Sequence, residues 1–320
     1  EATQAAPASW WGSLGSQYLG GTHEERLAFE AEVAAAAGKE SGVAFVSGWA
    51  ANYAVGEALG KLCDVIVSDA RNHNSMVHGL RTAREKVLRL DLRQPGWSEE
   101  LRRRTFERAA VVAPSVEGIT GEAVDPFAGL DTELRSRLIV VLDECHTFGA
   151  LGETGVEPVT DEVPDVRIGG FGKAFGTMGS VVCASRGFNA LLEQLASPWM
   201  FSTAAPPVIW RVNQRVFPEV LAMREERERI LRLAIDFRAR LEAAGIDATG
   251  RHHITGVRIP ADRDAPELEA EVRRAGFLLK ISLYPTRPRE SPCARVAFTP
   301  EHTDDDVAGL ADCLGRVLQG

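Results

Sequence analysis

Short apolar runs recur along the chain, each followed by a stretch with helical spacing. Residues 42–46 (GVAFV), 64–68 (DVIVS), 86–90 (KVLRL), 109–113 (AAVVA), 138–142 (LIVVL), 166–169 and 181–184 (VVCA) make up the first set. Most are short, β-branched and apolar at consecutive positions, as expected for strands buried on both faces of a mainly parallel sheet. One intervening helix has a readable start: Thr22 as N-cap and Glu25 completing a capping box. An apolar face through Leu27, Val33 and Ala34 follows, and Gly38 ends it. Strands alternating with helices predict an α/β domain wound around a central parallel sheet.

The texture changes after about residue 205. Pro206-Pro207 opens a helical stretch that reaches Gly245, with Pro218 expected to kink or break it. The charge run 224–229 (REERER) reads as a solvated helix face. Strand candidates at 256–259, 278–283 and 294–298 then interleave with helices near 266–275 and 303–318. These predict a smaller α+β domain, giving a division into residues 1–220 and 221–320.

Composition narrows the class of partner. The 320 residues are 45% hydrophobic and 25% charged, which is ordinary for a globular chain. A net charge of -9 argues against nucleic acid. Five cysteines are scattered without a C-x-x-C pair, which points to a reducing compartment and hence the cytoplasm. No apolar run approaches the roughly 18 residues of a membrane helix, so no membrane partner is expected. The opening EATQAAPASWW lacks the basic start and apolar core of a signal peptide.

Candidate chemistry sits at the strand ends. LIVVLDECH runs five apolar residues into Asp143, with His146 three further on. Ligands of open α/β sheets bind outside the carboxyl ends of the strands, so Asp143 lies where a ligand would be. The plainer alternative is an aspartate capping the next turn. Thirty residues later, GGFGKAFG places Lys173 in a glycine-rich turn after another strand. Burial makes a lysine amine easier to deprotonate and a better nucleophile; an exposed lysine on a flexible turn is the alternative. Two phosphate-loop motifs fail here, because Arg167 and Phe175 stand where each needs glycine. A better anion site is Ser47-Gly48-Trp49, where a strand runs into a small-residue helix start. His73, in DARNHNSMVHGL, also follows a strand; its spacing of five from His78 does not suit a shared metal. An amine, a carboxylate, imidazoles and a helix N-terminus together are what pyridoxal 5'-phosphate (PLP) requires.

These motifs closely resemble those of the α-oxoamine synthases, a branch of the fold-type-I aminotransferase superfamily, over nearly the whole chain from GSLGSQYLGG onward. The family's D-E-x-H with G-x-x-G is matched by DECHTFGALGETG. Its lysine turn is matched by GGFGKAFGTMGS, its F-S-T-x-x-P-P by FSTAAPP and its D-x-x-x-H-x-S by DARNHNS. Its C-terminal arginine is matched by Arg295 in ARVAFTPEHT. The resemblance implies a PLP-dependent acyltransferase that condenses a small amino acid with an acyl thioester, acyl-CoA or a carrier-protein thioester, usually with loss of carbon dioxide. It implies that Lys173 binds the cofactor covalently and moves protons at the substrate α-carbon. Asp143 would pair with the ring nitrogen, His146 with the phenolic oxygen, and His73 would stack on the ring. Ser47, Gly48 and Trp49 would lie near the phosphate. Ser202 and Thr203 would reach the neighbouring subunit's phosphate in a homodimer, and Arg295 would hold the substrate carboxylate.

Departures from the family pattern are Gly170, where the family has a threonine, and Gly118, where it has a serine. The chain also opens partway through the family's first helix, at EATQAA, so an N-terminal segment is expected to be missing. An aminotransferase on the same cofactor, or a non-catalytic subunit of this fold, are the alternative readings.

Overall fold

A computed structural model describes residues 11–260 and 262–319. The helix expected at EATQAA lies outside the described residues. The chain forms two compact units. One comprises the described residues up to Ser115 together with Val124–Ala222; the other comprises Val116–Ala123 together with the described residues from Met223 onward.

The first unit is built on seven strands: β1 (Ser41–Phe45), β2 (Val65–Asp69), β3 (Val87–Leu90), β4 (Ala109–Pro114), β5 (Leu138–Asp143), β6 (Val166–Gly170) and β7 (Ser180–Ala184). Their order is β1-β7-β6-β5-β4-β2-β3. Only β7 runs against the others, being antiparallel to both β1 and β6, while the remaining neighbours are parallel. Strands β2, β4, β6 and β7 are buried at every position, because helices cover both faces. Two apolar clusters fill those faces, one around Leu59, Ile66 and Val112 and the other around Val67, Val111 and Leu142. All seven predicted strands are present, within two residues at each end.

The predicted capping box is not formed. Helix α1 (Glu24–Ala36) starts after His23 with no side-chain cap. Thr22 instead donates to Gln17 O and accepts from Arg26. Leu27 is 49% exposed, and the inward face is Phe29, Glu30, Val33 and Ala34 with Arg26. Arg26 Nη1 donates to Glu30 Oε1 at 2.6 Å, and Glu30 also accepts from Ala44 N, tying the helix to β1. Gly38, at φ 67°, ends the helix as expected.

In the second unit β8 (Ala248–Thr249), β9 (Ile254–Arg258), β10 (Ile281–Ser282) and β11 (Cys293–Ala297) form an antiparallel sheet in the order β10-β11-β9-β8. The strand expected over 278–283 contracts to two residues. Pro218 does not break its helix: Pro207–Ala222 continues through it, and the interruption falls at Met223, before a second helix Arg224–Ala243. Arg227, expected on a solvated face, is buried. No helix among the described residues is long and apolar enough to cross a membrane.

A buried ion pair lies beneath the end of β5. Arg167 on β6 donates to Glu144 at 2.7 and 3.1 Å, and to the carbonyls of Ala37 (2.9 Å) and Val156 (2.5 Å). The two side chains are 2% and 1% exposed. Burial raises the Glu144 carboxyl to about 7 against the opposing pull of Arg167. Removing one partner strands the other. Arg167→Met is therefore expected to destabilise the protein by about 3–5 kcal/mol in urea denaturation, with the double variant Arg167→Met/Glu144→Leu recovering most of that loss.

Candidate active site

Strands β1, β2, β5 and β6 point the same way, so their C-terminal ends share one edge of the sheet. Ser47, His73, Asp143 and Lys173 each follow, or end, one of these four strands within a few residues. The sheet's direction gathers four side chains that are dispersed over 127 positions of sequence.

Asp143 is the last residue of β5, in register with Pro114 on one side and Ile168 on the other. Its Oδ2 accepts from Asn52 Nδ2 at 2.7 Å and its Oδ1 from Cys145 N at 3.0 Å. These donors fix the carboxylate of a half-buried residue. Asn52 is 2% exposed, and its Oδ1 has no partner among the described residues, so the amide is held for what its nitrogen does. Asn52 was not singled out from the sequence; its only signal was a polar residue on the face of helix α2 (Gly48–Leu62) that buries Ala51, Val55 and Leu59.

The lysine turn is aromatic for a reason visible in the packing. Phe171 and Phe175, either side of Lys173, lie 4.8 Å apart by ring centroid and are buried with Phe148 and Phe217. Thr177 N returns to Phe171 O and Gly176 N to Lys173 O, both at 3.0 Å. Two buried rings thus anchor a hydrogen-bonded turn with Lys173 at its apex. Lys173 itself is exposed, the second of the two alternatives open from the sequence, because only the flanking rings enter the core. Its Nζ lies 2.8 Å from His146 Nε2, which joins the ends of β5 and β6 through side chains.

Ser47 caps α2, accepting from Ala50 N at 3.2 Å. The N–H groups of Gly48 and Trp49 meet no acceptor among the described residues, as the first turn of a helix requires. Trp49 is exposed and stacks on Tyr53. His73 caps the helix α3 (Asn74–Gly79) through Nδ1, which also meets Ser75 Oγ at 2.7 Å. Ser202 and Thr203 are exposed; Thr203 bridges to Ser16, and no hydrogen bond among the described residues joins the pair to Lys173 or Asp143. Arg295 stands on β11 of the second unit, exposed, its Nε donating to Gly118 O at 2.6 Å.

Cys145 forms the packed floor between these elements. A Cβ on Gly48 or on Gly170 would meet its Sγ at 2.9 Å. Burial pushes the Cys145 thiol well above its usual value, with Asp143 adding to the shift and Lys173 opposing it, so it stays protonated. The residues present suit PLP: an amine next to an imidazole, a carboxylate held by two donors, and a fifteen-residue helix whose first amides are free for an anion.

The family model for aminotransferase class I and II matches residues 13–314. An 8-amino-7-oxononanoate synthase from Chlorobaculum parvum is 30% identical over 310 residues, covering 94% of this chain and 79% of that protein. One from Anaeromyxobacter dehalogenans is 31% identical over 302 residues, covering 92% and 75%. In fold the chain is similar to serine palmitoyltransferase of Sphingomonas wittichii, with a TM-score of 0.87 and 22% identity over 99% of this chain and 83% of that one. Fold, site and relatives define a PLP-dependent C-acyltransferase. The chain belongs to the aminotransferase class I and II family and, within it, to the α-oxoamine synthases.

The contact between Gly170 and Cys145 is open to test. Gly170→Ala is expected to lower stability by about 1–3 kcal/mol through overpacking, read from thermal and urea unfolding, and adding Cys145→Ala should restore most of it.

Proposed function

We propose that the protein condenses a small amino acid with an acyl thioester, carried on CoA, releasing carbon dioxide and free thiol and leaving an α-amino ketone. The observation that carries this reading is the Lys173–His146 contact at the sheet edge that Asp143 also occupies. When bound, PLP supplies an electrophilic carbonyl for amines and an electron sink for negative charge at the amino acid's α-carbon. Lys173 would hold the cofactor through its amine and would take and return the proton at the substrate's α-carbon. Asp143 would keep a proton on the ring nitrogen, and Asn52 and the Cys145 amide keep Asp143 in place. His146 would serve the phenolic oxygen and His73 would cover a ring face. Ser47, Gly48 and Trp49 would hold the phosphate at the start of α2. Arg295 binds the substrate carboxylate, a task for a planar guanidinium.

In this reading the protein is a homodimer, in which Ser202 and Thr203 would reach the partner's phosphate. Leu14, Tyr18, Leu19 and Phe201 lie within three residues of the Ser16–Thr203 bridge, and all four are exposed. Such an apolar surface on a monomer calls for cover. The protein is assigned to the cytoplasm on its scattered, unpaired cysteines.

Borohydride treatment of the PLP-loaded protein should fix the cofactor on the peptide that contains Lys173, read as a mass increase. Lys173→Ala should show neither that adduct nor turnover. With the wild type, a panel of amino acids and acyl-CoAs should yield carbon dioxide and thiol in equal amounts. A keto acid without thiol release would make the protein an aminotransferase instead.

A further inference from the structure

The segment Val116–Ala123 holds a buried carboxylate with no task in the reading above. Glu117 is 7% exposed. Its Oε2 accepts from Thr120 N and Thr120 Oγ1, both at 2.6 Å. Glu117 N donates to Glu122 O at 2.9 Å and Gly121 N to Glu117 O at 3.0 Å, so the turn is closed on itself. It is also fitted to the sheet of the second unit. Arg251 N donates to Gly121 O at 3.1 Å and Thr249 Oγ1 to Thr120 O at 2.9 Å. Gly121 takes φ 70°, and a Cβ there would run into Ile254 O; one on Gly256 would meet Thr120 Cα at 2.7 Å.

From this turn Gly118 presents its carbonyl to Arg295 Nε at 2.6 Å. A guanidinium can grip a carboxylate through Nε and one Nη, or end-on through both Nη atoms. The Nε edge of Arg295 is taken. Among the described residues no hydrogen bond or ion pair engages its Nη1 or Nη2; Glu117 acts on the guanidinium through its charge alone, against the effect of burial. The end-on pair is what remains for a ligand.

We propose that Glu117 is a positioning residue for Arg295. Its carboxylate fixes the turn whose Gly118 carbonyl pins the guanidinium, leaving the Nη pair to the carboxylate of the amino acid substrate. The inference rests on the assignment of Arg295 to that carboxylate.

The test is amino acid binding to the PLP-loaded protein, followed by the change in the cofactor's visible absorption on titration with glycine, L-alanine and L-serine. The ligand that the wild type binds best is carried forward. Glu117→Ala should raise its Kd about tenfold, the worth of one charge-assisted hydrogen bond, with PLP affinity unchanged. Glu117→Gln should stay within about twofold of wild type, because one amide oxygen can accept both bonds. Thr120→Val removes one donor by an independent route and carries the test if Glu117→Ala does not fold; it should weaken binding about threefold or more. Arg295→Ala separates the two layers. If it weakens binding while neither Glu117→Ala nor Thr120→Val does, the positioning role is overturned and the assignment of Arg295 stands. If Arg295→Ala leaves binding unchanged, both fall. A drop in thermal midpoint with unaltered Kd would reduce Glu117 to a structural carboxylate.

Discussion

The site depends on strand direction. Parallel pairing of β6, β5, β4 and β2, with β7 reversed between β6 and β1, brings the exits of β1, β2, β5 and β6 to one margin of the sheet. A one-residue slip of β5 would turn Asp143 to the opposite face and remove it from Asn52. Two features hold β5 against such a slip. Its interior is fully apolar from Val140 to Leu142, and the Arg167–Glu144 pair locks the residue immediately after Asp143 to β6. The pair costs desolvation and contributes little net stability; its value is that only one alignment satisfies it.

Much of this was legible in the chain because buried parallel strands look alike: short, mostly β-branched and mostly apolar. The strand ends were legible for the same reason, since Asp143 is the first charge after LIVVL and Lys173 the only charge in GGFGKAFG. The second unit was harder to read, because two-residue strands such as β8 and β10 leave no periodicity. The start of α1 was misread because a threonine followed by glutamate at the right spacing has other uses: Thr22 bonds Gln17 and Arg26 instead.

Asn52 and Glu117 escaped the sequence altogether. Asn52 works from within a helix, and Glu117 from within a turn, each through a hydrogen bond to a group dozens of positions away or to a backbone that a motif does not specify. Whether Lys173 is buried or exposed was open in the sequence, because its neighbours in the turn are hydrophobic. They bury themselves and not the amine: Phe171 and Phe175 go inward and leave the residue between them at the surface. An apolar neighbourhood in sequence is therefore compatible with either fate for the polar residue inside it.

The eight residues Val116–Ala123 interrupt the first unit in sequence and complete the second in space. Neither unit is a continuous stretch of chain, so no single cut yields both. A fragment starting at Met223 would keep the β8–β9 hairpin but lose the glycine turn that lies against Gly250, Ile254 and Gly256, leaving backbone there bare to water. Modular exchange of the C-terminal portion with that of a relative would therefore have to carry this octapeptide along with it.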